Sequence, residues 1–245
     1  MNRVQLIQKV FSNTHFNTYL EIGTRSGNSF LPIKSKTKIA VDPEFTIPWE
    51  KKAKWMIKNP SNFGSKYFEE TSDDFFRLRK GFLKKTGKID VVLIDGLHTY
   101  QASLNDVLNA LVFLNSNGVI VLHDCLPPHE AAALPTRNYP TKEEQNIEGW
   151  DGQWNGDVWK TIVYLRRHFS DLLEVLVLNT DYGLGIVRMK CRIDEKPVID
   201  QASFDEIDRM TYREMIPNAT EILNVKDVGY ITPLLKEIAS QPDPC

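Results

Sequence analysis

A chain of 245 residues with 42% hydrophobic and 25% charged side chains can bury a large core and has the composition of an ordinary folded domain, which excludes collagen-like, coiled-coil and disordered classes. Thirty Lys and Arg against 32 Asp and Glu leave a net charge of −2, so there is no global basic field for nucleic acid or an anionic membrane, only room for a local basic patch. Cys125, Cys191 and Cys245 are scattered, odd in number and without CxxC spacing, and no apolar run approaches the ~18–20 residues of a membrane span; the expectation is a soluble, cytoplasmic protein.

In chain order, Val4, Leu6, Ile7, Val10 and Phe11 recur at near-helical spacing and predict an amphipathic first helix. Short β-branched runs bounded by Gly, Pro or Asp predict strands at 18–23 and 38–43, with a weaker one at 66–69 and a helix through 73–83. A strand follows at 88–96. Leu104, Val107, Leu108, Leu111 and Leu114 then mark a helix expected to stop near Asn117 and Gly118, before a strand at 118–124. Residues 125–156 carry Pro127, Pro128, Pro135 and Pro140 with no sustained period and read as one long loop. The next helix is expected from Asp157, with Val158, Ile162 and Leu165 inward. The runs 173–180 and 183–189 are too close for a crossover and must pair antiparallel; two weak helical segments follow, at 203–215 and 231–239. The alternation predicts an α/β fold, a Rossmann-like doubly wound sheet that is mostly parallel with one reversed strand. Functional groups should gather at the carboxyl ends of its strands.

The first strand runs into Glu21-Ile22-Gly23-Thr24-Arg25-Ser26-Gly27-Asn28-Ser29, a glycine turn expected to open onto a helix. A dinucleotide fingerprint, GxGxxG, would need glycine where Arg25 and Asn28 stand, so the NAD reading loses its support. What remains is ExGxxxG, in which Gly23 and Gly27 let backbone approach a ligand. Asp42 ends the second strand, where a carboxylate can accept hydrogen bonds from ribose hydroxyls. The fourth strand ends at Asp95-Gly96-Leu97-His98 and the fifth at His123-Asp124-Cys125. As parallel neighbours they would bring Asp95, His98, His123 and Asp124 to one mouth, where a neutral imidazole, with an ordinary pKa of about 6.5, can accept a proton.

With these motifs in this order, residues 18–189 resemble the class I S-adenosylmethionine-dependent methyltransferases, and among them the small-molecule O-methyltransferases related to catechol and macrolide-sugar enzymes. The resemblance implies a seven-stranded sheet of order 3-2-1-4-5-7-6, S-adenosyl-L-methionine as cofactor, and methyl transfer to a hydroxyl. It implies that Glu21, Gly23, Thr24, Gly27 and Ser29 surround the methionine portion, that Asp42 binds the ribose, and that Thr71 and Ser72 lie near the adenine; Ser72 and Asp73 have an equal claim to cap a helix. Asp95 gains a second role beside the methionine amino group. In catechol-type relatives, carboxylates at the two strand ends hold Mg²⁺ and a lysine three residues after the first acts as base. Here Asp95 and Asp124 match, His98 stands in the lysine position, and Cys125 stands where the third ligand belongs. Sulfur suits Mg²⁺ poorly. Three local readings stay open: His98 or His123 as a base without metal, a divalent ion (Mg²⁺ or Mn²⁺) on Asp95, Asp124 and His123, or a structural cluster.

The domain reading is a methyltransferase domain over 1–189, with loop 125–156 as a substrate lid, and a helical extension of the same domain over 190–245. The loop residues His129, Glu143, Glu144, Glu148, Trp150, Asp151 and Trp154 combine ring faces with carboxylates and suit a small hydroxylated acceptor such as a sugar or glycosylated metabolite. No nucleic acid or membrane partner is expected, and a homo-oligomer is left open. Two rival functions remain at this point: a metal-dependent hydrolase or lyase using the Asp/His cluster, and a nucleotide-binding module without chemistry.

Overall fold

The computed structural model describes residues 1–135 and 148–240, so Glu143 and Glu144 of the loop lie outside the described residues. Strands β1 (Thr18–Ile22), β2 (Thr37–Asp42), β3 (Lys66–Glu69), β4 (Ile89–Ile94), β5 (Leu114–Leu122), β6 (Leu173–Leu178), β7 (Leu184–Met189) and β8 (Val225–Lys226) form one sheet in the order β3-β2-β1-β4-β5-β7-β6-β8. Among the described residues β7 alone is reversed, antiparallel to both β5 and β6. The expected seven-strand order is therefore present, extended by the short β8, which lies parallel to β6. Two residues are too few to show a period, so β8 had no sequence signal.

The central strands are buried on both faces because their side chains alternate between two cores. Leu20 and Ile22 of β1, Val92 and Ile94 of β4, and Ile120 and Leu122 of β5 face one cluster. Tyr19, Val91, Leu93, Val119 and Val121 face the other. The first core is covered by α3 (Ser72–Leu78), α4 (Lys80–Thr86), α5 (Tyr100–Phe113) and α6 (Trp159–His168). Ile207 of α7 (Gln201–Asp208), Met215 of α8 (Tyr212–Met215) and Leu223, just past α9 (Ala219–Ile222), join it. The second core is covered by α1 (Arg3–Asn13) and α10 (Ile231–Ser240). Helix α1 begins with a capping box in which Asn2 and Gln5 satisfy each other's backbone N–H groups, and it buries Leu6, Ile7, Val10 and Phe11.

Three expectations are corrected. No helix follows the glycine turn: residues 23–36 form successive turns. One i+4 bond forms, from Leu31 N to Gly27 O (3.1 Å), and the carbonyls that follow are taken by side chains. Lys38 Nζ donates to Phe30 O (2.6 Å) and Ile33 O (2.8 Å), and Asn59 Nδ2 to Leu31 O (2.9 Å) and Ile33 O (2.8 Å). The helix expected over 73–83 breaks at Arg79 into α3 and α4, where the guanidinium pairs with Glu70 through two bonds. Helix α5 stops at Phe113 rather than near Gly118, because Leu114 already pairs with Ile89 in the sheet and Gly118 lies within β5.

Candidate active site

The parallel register of β1, β2 and β4 brings their carboxyl ends together: Gly23 N donates to Val41 O (2.9 Å) and Asp95 N to Ile22 O (2.9 Å). Gly23 has φ +87°, and a Cβ there would sit 2.0 Å from the Asp95 carbonyl oxygen, so only glycine lets the two strand ends meet. Asp42 adjoins this turn, its carboxylate accepting from Arg25 N (2.7 Å) and Glu44 N (2.9 Å). Gly27 N closes the turn onto Thr24 O at 2.7 Å.

The other residues expected around the cofactor point inward. Glu21 is fully buried and accepts from Tyr19 Oη (2.5 Å) and Ser29 Oγ (2.8 Å); Thr24 Oγ1 lies 3.4 Å from Glu21 O. Their polar atoms are thus engaged within the protein, and the turn is accessible at Gly23, Arg25, Ser26 and Asn28. Ser72 opens α3 and hydrogen-bonds the buried carboxyl of Asp106, while the capping side chain is Thr71, which accepts from Asp74 N (3.2 Å).

Burial, only partly offset by those hydroxyls, raises the Glu21 carboxyl to about 7. An acid raised in the folded state keeps a proton that the unfolded chain loses above about 4.5, so stability falls as pH rises from there to about 7. Glu21→Gln should remove that loss. Relative to the wild type, its unfolding free energy should gain on the order of 3 kcal/mol between pH 5 and pH 8, read from urea melts at both pH values. An equal pH dependence in the two proteins would show that Glu21 does not carry it.

At the ends of β4 and β5 the four polar residues do converge. His98 Nε2 lies 3.3 Å from Asp124 Oδ2 and 3.7 Å from Asp95 Oδ1, and His123 Nδ1 lies 2.8 Å and 3.2 Å from the same two oxygens. Asp124 has φ +64°, a left-handed conformation unusual outside glycine, which turns its carboxylate into this cluster. Burial opposes ionisation of Asp95, but His123, His98 and Arg3 around it hold its carboxyl far below the usual range. Burial likewise opposes charge on His123, yet Asp95, Asp124 and Asp181 push that imidazole up to about 11.

The two histidines differ in what is left free. His98 Nδ1 is 3.0 Å from Trp154 O, and since a carbonyl only accepts, Nδ1 carries the hydrogen and Nε2 is the atom facing Asp95 and Asp124. The indole of Trp154 stacks on the ring at 4.8 Å. His123 Nε2 lies 2.9 Å from Arg3 Nη1, and because a guanidinium only donates, this contact is a hydrogen bond for the neutral ring alone and opposes the pull of the three carboxylates toward charge. A charged His123 has no lone pair, and in a neutral one Nδ1–H points to Asp124 while Nε2 accepts from Arg3. In neither state does His123 offer a lone pair to a substrate.

Three participants left no mark in the sequence pattern. Arg3, in the first turn of α1, reaches Asp95 (3.2 Å) and Asp181 (3.2 Å), the latter in the β6–β7 turn. Asn155 donates through Nδ2 to Asp124 Oδ1 at 2.6 Å. Each comes from a segment remote in sequence, so no local spacing could reveal it. Cys125, by contrast, leaves the site: its thiol lies against Gly185 and Ile162 and contacts the carbonyls of Leu122 and His123. Of the loop residues, His129 pairs with Asp151 (3.1 Å), and Trp150 Nε1 donates to Gln153 O (2.7 Å).

Residues 20–125 match a family described as a methyltransferase domain. That segment runs from β1 past the end of β5 and so holds both the glycine turn and the Asp/His cluster. No curated protein matches the chain. Among solved structures, the S-adenosylhomocysteine-bound methyltransferase PaMTH1 of Podospora anserina is 16% identical, with 77% of this chain and 79% of that one covered at a TM-score of 0.50. Cofactor-bound Rv0187 from MTB is 12% identical, covering 80% and 82% at a TM-score of 0.50. The O-methyltransferase TomG of Streptomyces achromogenes is 13% identical, covering 76% and 78% at a TM-score of 0.48. Strand order and family match together define a class I methyltransferase fold. The fold that the sequence resemblance implied is the one observed, and the family match lies within it, over residues 20–125.

Proposed function

We propose that this protein is an S-adenosyl-L-methionine-dependent O-methyltransferase that uses His98 to deprotonate a hydroxyl of a small acceptor. The observation that carries the reading is the convergence of His98 Nε2 with Asp95 and Asp124 at the ends of adjacent parallel strands, beside the glycine turn of the methyltransferase domain. The cofactor fits the accessible strip between β1 and β4, where Gly23 presents backbone, Leu97 is 46% exposed, and Asp95 stands within reach of an ammonium group. Bound there, the cofactor supplies an electrophilic methyl group, and the protein has to align an oxygen with it and remove a proton. His98 Nε2 accepts that proton. Its Nδ1–H bond to Trp154 O holds the ring in the required tautomer, and Asp95 and Asp124 stabilise the imidazolium that forms. His123, held by Arg3 and Asp124, positions Asp124 instead of taking the proton.

The acceptor is a sugar or glycosylated metabolite in this reading, supported by the indole of Trp154 stacked on His98 and by Trp150 and Asp151 a few residues earlier in the same loop. The test is direct. S-adenosylhomocysteine should raise the melting temperature, and incubation with S-adenosylmethionine and a panel of sugars, glycosides and phenols should yield a product heavier by one methylene. A protein that S-adenosylhomocysteine does not stabilise, and that responds only to divalent metal, would belong to the hydrolase or lyase class.

One atom favours a second reading of the same cluster. Asn155 Oδ1 is buried without a hydrogen-bond partner, and flipping the amide would set oxygen against Asp124 oxygen, so the orphan is held in place. Ligand atoms of Asp95, His98 and Asp124 lie within 4.8 Å of one another. Two carboxylates and an imidazole, with the Asn155 amide fixed on one of the carboxylates, fit a first-row ion such as Mn²⁺ better than Mg²⁺, and such an ion would lower the pKa of an acceptor hydroxyl. His98, not His123, completes this set, since both His123 nitrogens are engaged by Asp124 and Arg3. In EDTA-treated protein, Mn²⁺ should then raise the melting temperature by several degrees, and Asn155→Leu should remove most of that rise. Full turnover in EDTA with no Mn²⁺ shift leaves His98 as a metal-free base.

A further inference from the structure

We propose that α2 (Trp49–Lys58) and the turn after it, Pro60–Gly64, form an interfacial patch that docks this protein on an anionic lipid surface. Helix α2 carries no buried residue. Trp49 is 75% exposed, Ile57 83% and Phe63 70%. Trp49, Ala53 and Ile57 are four residues apart, so they form one outward ridge about 12 Å long. Three large apolar side chains in so short a segment are more than the scattered surface residues any protein shows.

The ridge is held in place. Asn62 Nδ2 donates to Trp55 O (3.1 Å) and Leu31 O (3.0 Å), Asn59 ties the helix end to the first crossover, and Lys51 Nζ donates to Ser26 O (2.7 Å). The apolar groups are therefore presented by a fixed element. Their surroundings are basic. Residues 49–66 hold Lys51, Lys52, Lys54, Lys58 and Lys66 against Glu50 alone, in a chain whose net charge is −2. Lys54, Lys58 and Lys66 are exposed, as are Lys34 and Lys36 beyond Ile33, whose carbonyl Asn59 binds.

A helix with Trp and Ile on its outer ridge and lysines on both flanks has the pattern of an element lying in a lipid interface, its apolar side chains among the acyl ends and its ammonium groups against anionic headgroups. A second copy of the chain is a poorer occupant. A two-fold axis through the ridge would set two lysine-rich helices against each other. Among the described residues no helix is long and apolar enough to cross a membrane, so the contact proposed is peripheral. The low net charge that argued against a membrane partner averages out this local excess.

The experiment is flotation of the full chain with vesicles of phosphatidylcholine alone or mixed with phosphatidylglycerol. The protein should float with the mixed vesicles, remain in solution with phosphatidylcholine, and be released by high salt. Trp49→Glu combined with Ile57→Glu should lower the bound fraction about ten-fold or more, and Lys54→Glu with Lys58→Glu should lower it comparably. Both variants should keep the wild-type melting temperature and its rise with S-adenosylhomocysteine. Failure of the wild type to float, or equal flotation of either variant, overturns the proposal. So does a concentration-dependent dimer that the Trp49/Ile57 variant splits, which would assign the ridge to a second copy.

Discussion

Replacing His98 by alanine is expected to lower kcat about 100-fold or more while leaving the stabilisation by S-adenosylhomocysteine unchanged. The side chain lies at the mouth, and Nε2, the nitrogen not bound to Trp154 O, faces the Asp95 and Asp124 carboxylates, so in this reading its loss removes proton transfer and not cofactor binding. His98→Gln is the control for packing against Trp154: it fills the space and should be equally inactive. The sign of the pH dependence follows from the surroundings. Burial opposes charge on His98, but the hydrogen bond to Asp95 and the charges of Asp124 and Asp95 outweigh it and raise its pKa above the ordinary 6.5. The charged ring cannot accept a proton, so kcat should be lost as pH falls through a value above 6.5 and should plateau on the alkaline side. An acid limb at or below 6, or a His98→Ala enzyme of normal kcat, would assign the base elsewhere.

Gly156→Ala should disable the protein more broadly, lowering stability by about 3 kcal/mol or more and taking turnover with it. Gly156 has φ +61°, and a Cβ there would stand 1.8 Å from the backbone carbonyl oxygen of His98. Nothing flexible can yield, because the obstacle is the β4–α5 turn itself. The residues on either side fasten the same junction: Asn155 holds Asp124, and Asp157 accepts from Tyr100 N (2.7 Å) at the start of α5. Pushing the loop outward would therefore separate Asn155 from Asp124 and Trp154 from His98 together. Gly152→Ala is the matched control. Gly152 also has positive φ (+92°), but a Cβ there meets nothing within 4 Å, so the cost is strain alone, about 1 kcal/mol, with kcat unchanged. Thermal melts and steady-state rates of the two variants decide it; a Gly156→Ala protein that melts and turns over like the wild type would show that the junction is not held as described.

The residues that could be read in advance are those whose role is local. Val91 to Ile94 and Val119 to Leu122 are apolar without interruption because both of their faces are covered, and Asp95, His123 and Asp124 follow at once as the polar ends of those strands. Periodicity failed where a distant partner decided the outcome. The stretch after Gly27 has the residues for a short helix, yet Lys38, Asn59 and Asn62 capture its carbonyls. Arg79 would extend a helix, yet its backbone leaves helical geometry (φ −100°, ψ 19°) where its guanidinium pairs with Glu70.

The linear order of residues by itself determined the alternation of strand and helix, the reversed β7, and which side chains sit at strand ends, since each follows from apolar period and connection length. Only the tertiary structure decided which partners each of the two histidines meets. Arg3 arrives from α1, Asp181 from the β6–β7 turn, and Trp154 and Asn155 from the loop before α6; their contacts with the Asp/His cluster span 31 to 120 positions, and bonding over such separations depends on how the chain packs, not on how it reads.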